Sequence, residues 1–181
     1  MVEKDKKSPA LEVAKEQEEQ DGITVLSTGV RARLVPVAAS LISEVASRVK
    51  DPEVPMDYIE EKDREEPNPN NPEYLRMLDE ATAKRGTVSL ETMVMFGVEL
   101  IDGVPEDNTW LNRLRFLEKH GNLDLSEYDL DDPMEREFVY KLYIAVGSND
   151  IVEVAKMSGI NPEEIEQAVE SFQSPTARSA D

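Results

Sequence analysis

The chain has no cysteine and a single histidine, His120, among its 181 residues. Without cysteine there is no disulfide framework, no thiol nucleophile and no cysteine-ligated zinc. One histidine leaves a histidine-based metal site without partners. No nucleophile-elbow signature surrounds any serine that would pair with it in a triad. Neither G-x-x-x-x-G-K-[ST] nor G-x-G-x-x-G occurs, so no phosphate-cradling loop is expected. No stretch approaches the roughly 18 consecutive apolar residues of a membrane span. The first residues, MVEKDKKSPALEVAKEQEEQDG, lack the apolar centre of a signal peptide. Positive charge is scarce as well: 20 Lys and Arg face 39 Asp and Glu, for a formal net charge of −19. That balance disfavours nucleic acid and anionic membrane as partners and favours basic ones. The residues therefore read as a soluble, acidic chain with the cytosol as the simplest fit; they yield no reaction, and no catalytic residue, cofactor or metal is assigned.

What is present suits a folded domain. The composition is 39% hydrophobic and 33% charged, within the range of globular chains. Residues 1–21 read as a disordered acidic arm and 173–181 as a flexible tail. Residues 22–172 read as one globular domain. Its class is α+β, mainly α: a small β-β-α-β unit over 22–60, then a helical bundle over 70–172. Ile23 and Val25, then Val30, Ala32 and Leu34, alternate with polar residues around Ser27-Thr28-Gly29, which predicts a hairpin. Ala38, Leu41, Ile42, Val45 and Val49 recur at helical spacing. Val54, Met56 and Tyr58 alternate again, a third strand over about 54–60 that Pro55 confines to a sheet edge. The acidic run 60–71, EEKDREEPNPNN, reads as an exposed connector.

The longest helical stretch is predicted over 70–101, capped by Asn71 with Pro72 in the first turn. Gly86 marks a place for a kink or a break, and Asp102-Gly103 an end. A second helix is expected over 109–120. Asn108 or Thr109 would cap it, Trp110, Leu111, Leu114 and Leu117 would be buried, and Gly121 would stop it. Trp110, the only tryptophan, reads as a core anchor. A third helix is expected over 135–146, and a short helical pair over 151–157 and 162–172.

Two motif-like stretches fail on inspection. Asp124, Ser126 and Glu135 match the first, third and last ligand positions of an EF-hand loop, but Tyr128 and Asp129 do not fit between them. An acidic loop capping the next helix through Asp132 explains the same residues. The pair 151–172 has the rhythm of a helix-turn-helix. Its second helix carries Glu163, Glu164, Glu166 and Glu170, where a groove reader needs Arg or Lys. Candidate partner-binding residues are Met93, Met95 and Phe96, since methionine adapts to varied partners, and the acids Glu60, Glu61, Glu65 and Glu66.

The runs STGVRARLVPV, ISEVASRVKDPEVPM, REEPNPNNPEYLRML, MVMFGVEL and DLDDPMEREFVYKLYIAVG resemble proteins of the tail-morphogenesis region of long-tailed bacteriophages. Those proteins are described as tail assembly chaperones or as tail proteins of unassigned role, and the resemblance spans about residues 23–172. It implies a non-enzymatic protein in the cytoplasm of the infected or lysogenic host. Its partners would be the tape-measure protein and the tail-tube protein, with self-association also expected. A structural minor tail or connector protein of the virion is the alternative, and an acidic DNA mimic a more distant one.

Overall fold

Alternation of apolar and polar side chains from Ile23 onward produces the first strands. The structure is a computed structural model and describes residues 22–161; the expected arm 1–21, helix 162–172 and tail 173–181 lie outside them. β1 (Ile23–Val25) and β2 (Arg31–Leu34) pair antiparallel, with Thr24 opposite Ala32. Their turn is closed by Leu26 N–H donating to the Val30 carbonyl at 2.8 Å, and Gly29 supplies a φ of +89° that residues with a Cβ avoid. After β2 come α1 (Ala39–Ser47), β3 (Met56–Ile59), a 3-10 turn (Glu60–Lys62), β4 (Arg64–Pro67), α2 (Pro72–Gly97) and β5 (Val98–Leu100). Then follow α3 (Thr109–Lys119), α4 (Pro133–Tyr140), a π-helical turn (Lys141–Ala145) and α5 (Ser148–Met157). Helix predominates over strand, so the class is α+β, mainly α.

The β-β-α-β order holds along the chain, but the third strand does not join the first two. β3 pairs antiparallel with β4, with Tyr58 opposite Glu65. β4 lies inside the stretch 60–71 that reads as connector. Asp63 reverses the chain there in the left-handed region, at φ +49°, which aspartate tolerates better than most residues. The third strand of the first sheet is β5, and the order is β1-β2-β5. Val98 and Ile101 therefore do not extend the long helix, as their spacing suggests. Val98 sits opposite Leu34 and Leu100 opposite Ala32, and Ile101 N–H donates to the Arg31 carbonyl at 3.1 Å. The free edge of β2 captures these residues because its backbone groups need partners once water is excluded.

α2 begins as its sequence demands. The Asn71 side-chain oxygen accepts from Glu73 N–H at 2.9 Å and Tyr74 N–H at 3.2 Å, the N-cap arrangement. The helix runs unbroken through Gly86. Around that glycine the hydroxyls of Thr82, Thr87, Ser89 and Thr92 donate to carbonyls four residues back, at 2.6–3.2 Å. These polar side chains are satisfied within the helix and do not interrupt it.

The described residues form two compact units, 22–36 with 94–154, and 37–93 with 155–161. The core of the first is Trp110, Leu111, Leu114, Leu125, Val139, Tyr140 and Ala145. The Trp110 and Tyr140 rings meet edge to face at 5.1 Å, a favoured aromatic geometry. In the same unit the Asp150 carboxylate, at the start of α5, accepts from Ser27 N–H (3.1 Å), the Ser27 hydroxyl (2.7 Å) and Gly147 N–H (2.8 Å). Gly147 is the residue this lock requires, because a Cβ there would meet the Ser27 Oγ at 2.1 Å. In the second unit Val37, Ile42, Leu90, Met93 and Ala155 are buried. The Arg85 guanidinium donates to the Val49 carbonyl at 3.2 Å and to Asp51 at 2.6 Å, tying the stretch after α1 to α2.

Candidate functional site

The candidate acids lie on the β3–β4 hairpin. Glu60 and Glu61 are in the 3-10 turn, and Glu65 and Glu66 in β4. Glu60, Glu61 and Glu65 face solvent, whereas Glu66 is half-buried and accepts from Lys62 Nζ at 2.8 Å and from the Arg64 guanidinium. Hydrogen bonds from Lys62, then Arg64, hold the Glu66 carboxyl below its ordinary value. The Tyr58 hydroxyl donates to Asp63, which holds the phenol above its ordinary value. Part of the hairpin's charge is thus answered within the hairpin.

The three candidate apolar residues separate. Met93 is 0% exposed and belongs to the buried side of α2, while Met95 is partly exposed and Phe96 is 54% exposed. Helical rotation explains the split, because consecutive residues point about 100° apart. Met93 and Val94 turn inward and the next two turn outward. A surface contact therefore rests on Met95 and Phe96 and not on Met93.

α3 presents a surface that the sequence reading did not single out. Asn108 holds the N-cap position, but its side chain makes no cap bond; the Asp107 carboxylate accepts from Thr109 N–H at 2.9 Å instead. Hydrogen bonds from the Thr109 hydroxyl and N–H hold the Asp107 carboxyl below its ordinary value. The Asn108 side chain instead accepts from Arg136 Nη2 at 2.6 Å, and the Arg136 guanidinium stacks over the Trp110 ring at 5.2 Å. At the other end Gly121, at φ +73°, donates to the Glu118 carbonyl at 2.9 Å, and Asn122 N–H to the Leu117 carbonyl at 3.0 Å. That pair of bonds is a Schellman stop.

Trp110, Leu111 and Leu114 are buried, as their spacing requires, but Leu117 is 41% exposed. The opposite face carries Thr109, Asn112, Arg113 and Phe116, which with Leu117 line an open groove of about 550 Å³. Phe116 is 62% exposed, and its ring meets that of His120 at 4.5 Å. Arg113, Arg115 and Lys119 are exposed and make no ion pair among the described residues. The signal was present in the sequence, since Thr109, Asn112, Arg113 and Phe116 recur at three- and four-residue intervals on one side of a helix.

The loop before α4 behaves as a cap. The Asp132 carboxylate accepts from Met134 N–H at 2.8 Å and Glu135 N–H at 3.1 Å, and Glu135 accepts from Asp129 N–H at 2.6 Å. Among the described residues no group of acidic or histidine side chains has the arrangement of a metal site, and no helix is long and apolar enough to cross a membrane. No protein-family model, curated protein or solved structure matches the chain.

Proposed function

We propose that the chain is a tail assembly chaperone of a long-tailed bacteriophage. In this reading it acts in the cytoplasm of the bacterial host, holds the tape-measure protein and helps bring tail-tube subunits to it. The reading rests on the resemblance of the five quoted runs and on one structural observation. Met95 and Phe96 stay exposed on the last turn of α2, beside Met93 and Val94, which are buried. A chaperone for an aggregation-prone helical client needs apolar side chains that remain available after its own core has formed. It also needs an exterior that repels its own copies, and a net charge of −19 supplies that repulsion. Methionine beside phenylalanine suits a client surface that varies along its length.

The test is co-expression with the tape-measure protein encoded beside it, followed by affinity purification in moderate salt. Apolar contact survives salt that screens exposed ion pairs. The client is expected in the soluble fraction and in the eluate, and Phe96→Ser or Met95→Ser is expected to lower its recovery. The reading fails if the client stays insoluble while this chain is found in purified tails, which would make it a structural part of the virion.

A further inference from the structure

We infer that the groove on α3 is a docking site for an amphipathic helix of a partner protein, one with apolar residues along its contact face and Asp or Glu on its flanks. This goes beyond the tail-assembly reading and does not depend on it. The groove supplies the apolar half of such a contact: Phe116 and Leu117 are exposed side chains on a helix whose other face is already buried through Trp110, Leu111 and Leu114. Helical rotation puts Arg113 on one flank of the Phe116 stripe and Arg115 with Lys119 on the other. α3 spans about 16 Å at the rise of an α-helix, which matches about three turns of a partner helix.

The sign of the partner follows from where this chain has left its cations. Arg31 pairs with Asp102, Arg33 with Glu99, Arg85 with Asp51, Arg76 with Glu73 and Glu80, and Lys62 and Arg64 with Glu66. Among the described residues Arg115 and Lys119 have no acidic partner, and Arg113 meets only the field of the nearby Asp107 carboxylate without an ion pair. The one acid on α3, Glu118, has its carboxylate engaged by Leu125 N–H at 3.2 Å. Arg113, Arg115 and Lys119 therefore have charge to offer beside exposed apolar surface. The net charge of −19 does not prevent an acidic helix from seating there. Exposed charges more than about 8 Å away are largely screened at physiological salt, whereas the three flanking cations act at contact distance.

The probe is a fluorescein-labelled helical peptide with leucines at helical spacing and glutamates on both flanks. Its control is the same peptide with every glutamate replaced by lysine. Fluorescence anisotropy is read against the full chain. The glutamate peptide is expected to bind and the lysine peptide not to. Phe116→Ser should weaken binding about tenfold, as truncating a central aromatic contact does. Arg113→Glu combined with Arg115→Glu should abolish the preference for glutamate. All these side chains are exposed, so circular dichroism of the variants should match the parent. Equal binding of both peptides, no binding of either, or binding unchanged by Phe116→Ser and by the Arg113/Arg115 pair overturns the proposal. So does sedimentation of the parent as a dimer that Phe116→Ser dissociates, since the groove would then be an interface between copies.

Discussion

The β3–β4 hairpin and helix α3 both expose aromatic side chains, but they treat charge in opposite ways. In the hairpin, Glu66 is held by Lys62 and Arg64, and the Tyr58 hydroxyl by Asp63. On α3, Arg113, Arg115 and Lys119 make no ion pair among the described residues, and they flank Phe116. Exposure alone therefore does not mark a binding surface here. Exposure beside charge that the fold leaves unanswered is the more informative combination, because a partner gains there without first breaking a contact.

The comparison requires the buried face of α3 to be rigid, which gives the largest expected effect. Trp110→Ala should cost about 3–5 kcal/mol, measured by urea denaturation followed by circular dichroism. Trp110→Phe should cost less than about 1.5 kcal/mol. It keeps a ring against Tyr140 and removes an indole N–H that has no hydrogen-bond partner among the described residues. Equal losses for the two variants would mean that the packing around Trp110 is not what holds α3.

Next in size is the lock between the first hairpin and α5. Gly147→Ala should cost about 1–3 kcal/mol, since the new methyl collides with the Ser27 hydroxyl. Adding Ser27→Ala should restore part of that loss, because the colliding oxygen is gone. A double variant no better than the single one would place the strain elsewhere. Asp132→Ala should cost about 1 kcal/mol through the lost cap of α4, read as a lowered urea midpoint.

The smallest effect belongs to the hairpin. Its ion pairs are exposed, and such pairs add little. Glu66→Gln should lower the thermal midpoint only slightly at neutral pH. The sign of the pH dependence follows from the lowered carboxyl. Its stabilisation is fully present above the ordinary value of 4.5 and is lost as pH falls below that, through the lowered folded value. A parent whose midpoint falls below pH 4.5 while Glu66→Gln falls less sharpens the comparison. A large loss at neutral pH breaks it.

Features set by a few neighbouring residues were legible from the sequence. Asn71 and Asp132 cap the helices they precede, and Gly121 stops α3, because each acts through bonds two to five residues away. β4 and β5 were not legible. Val98–Leu100 is too short to show alternation, and it continues a helical pattern until the edge of β2 claims it. Arg64–Pro67 has no apolar face of its own and becomes a strand only opposite Met56–Ile59. Of the candidate binding residues, the spacing of Met93, Met95 and Phe96 could not say which would be buried. The cations of α3 leave no mark in the bulk composition, because a net charge of −19 hides a local group of three bases.

The most direct test is hydrogen–deuterium exchange on the chain alone and with the glutamate-flanked helical peptide bound. Slowed exchange over Thr109–Lys119, with Met56–Ile59 and Arg64–Pro67 unchanged, is the result expected if the unanswered charge and exposed Phe116 form the working surface. Slowed exchange in the hairpin, with α3 unchanged, would contradict it.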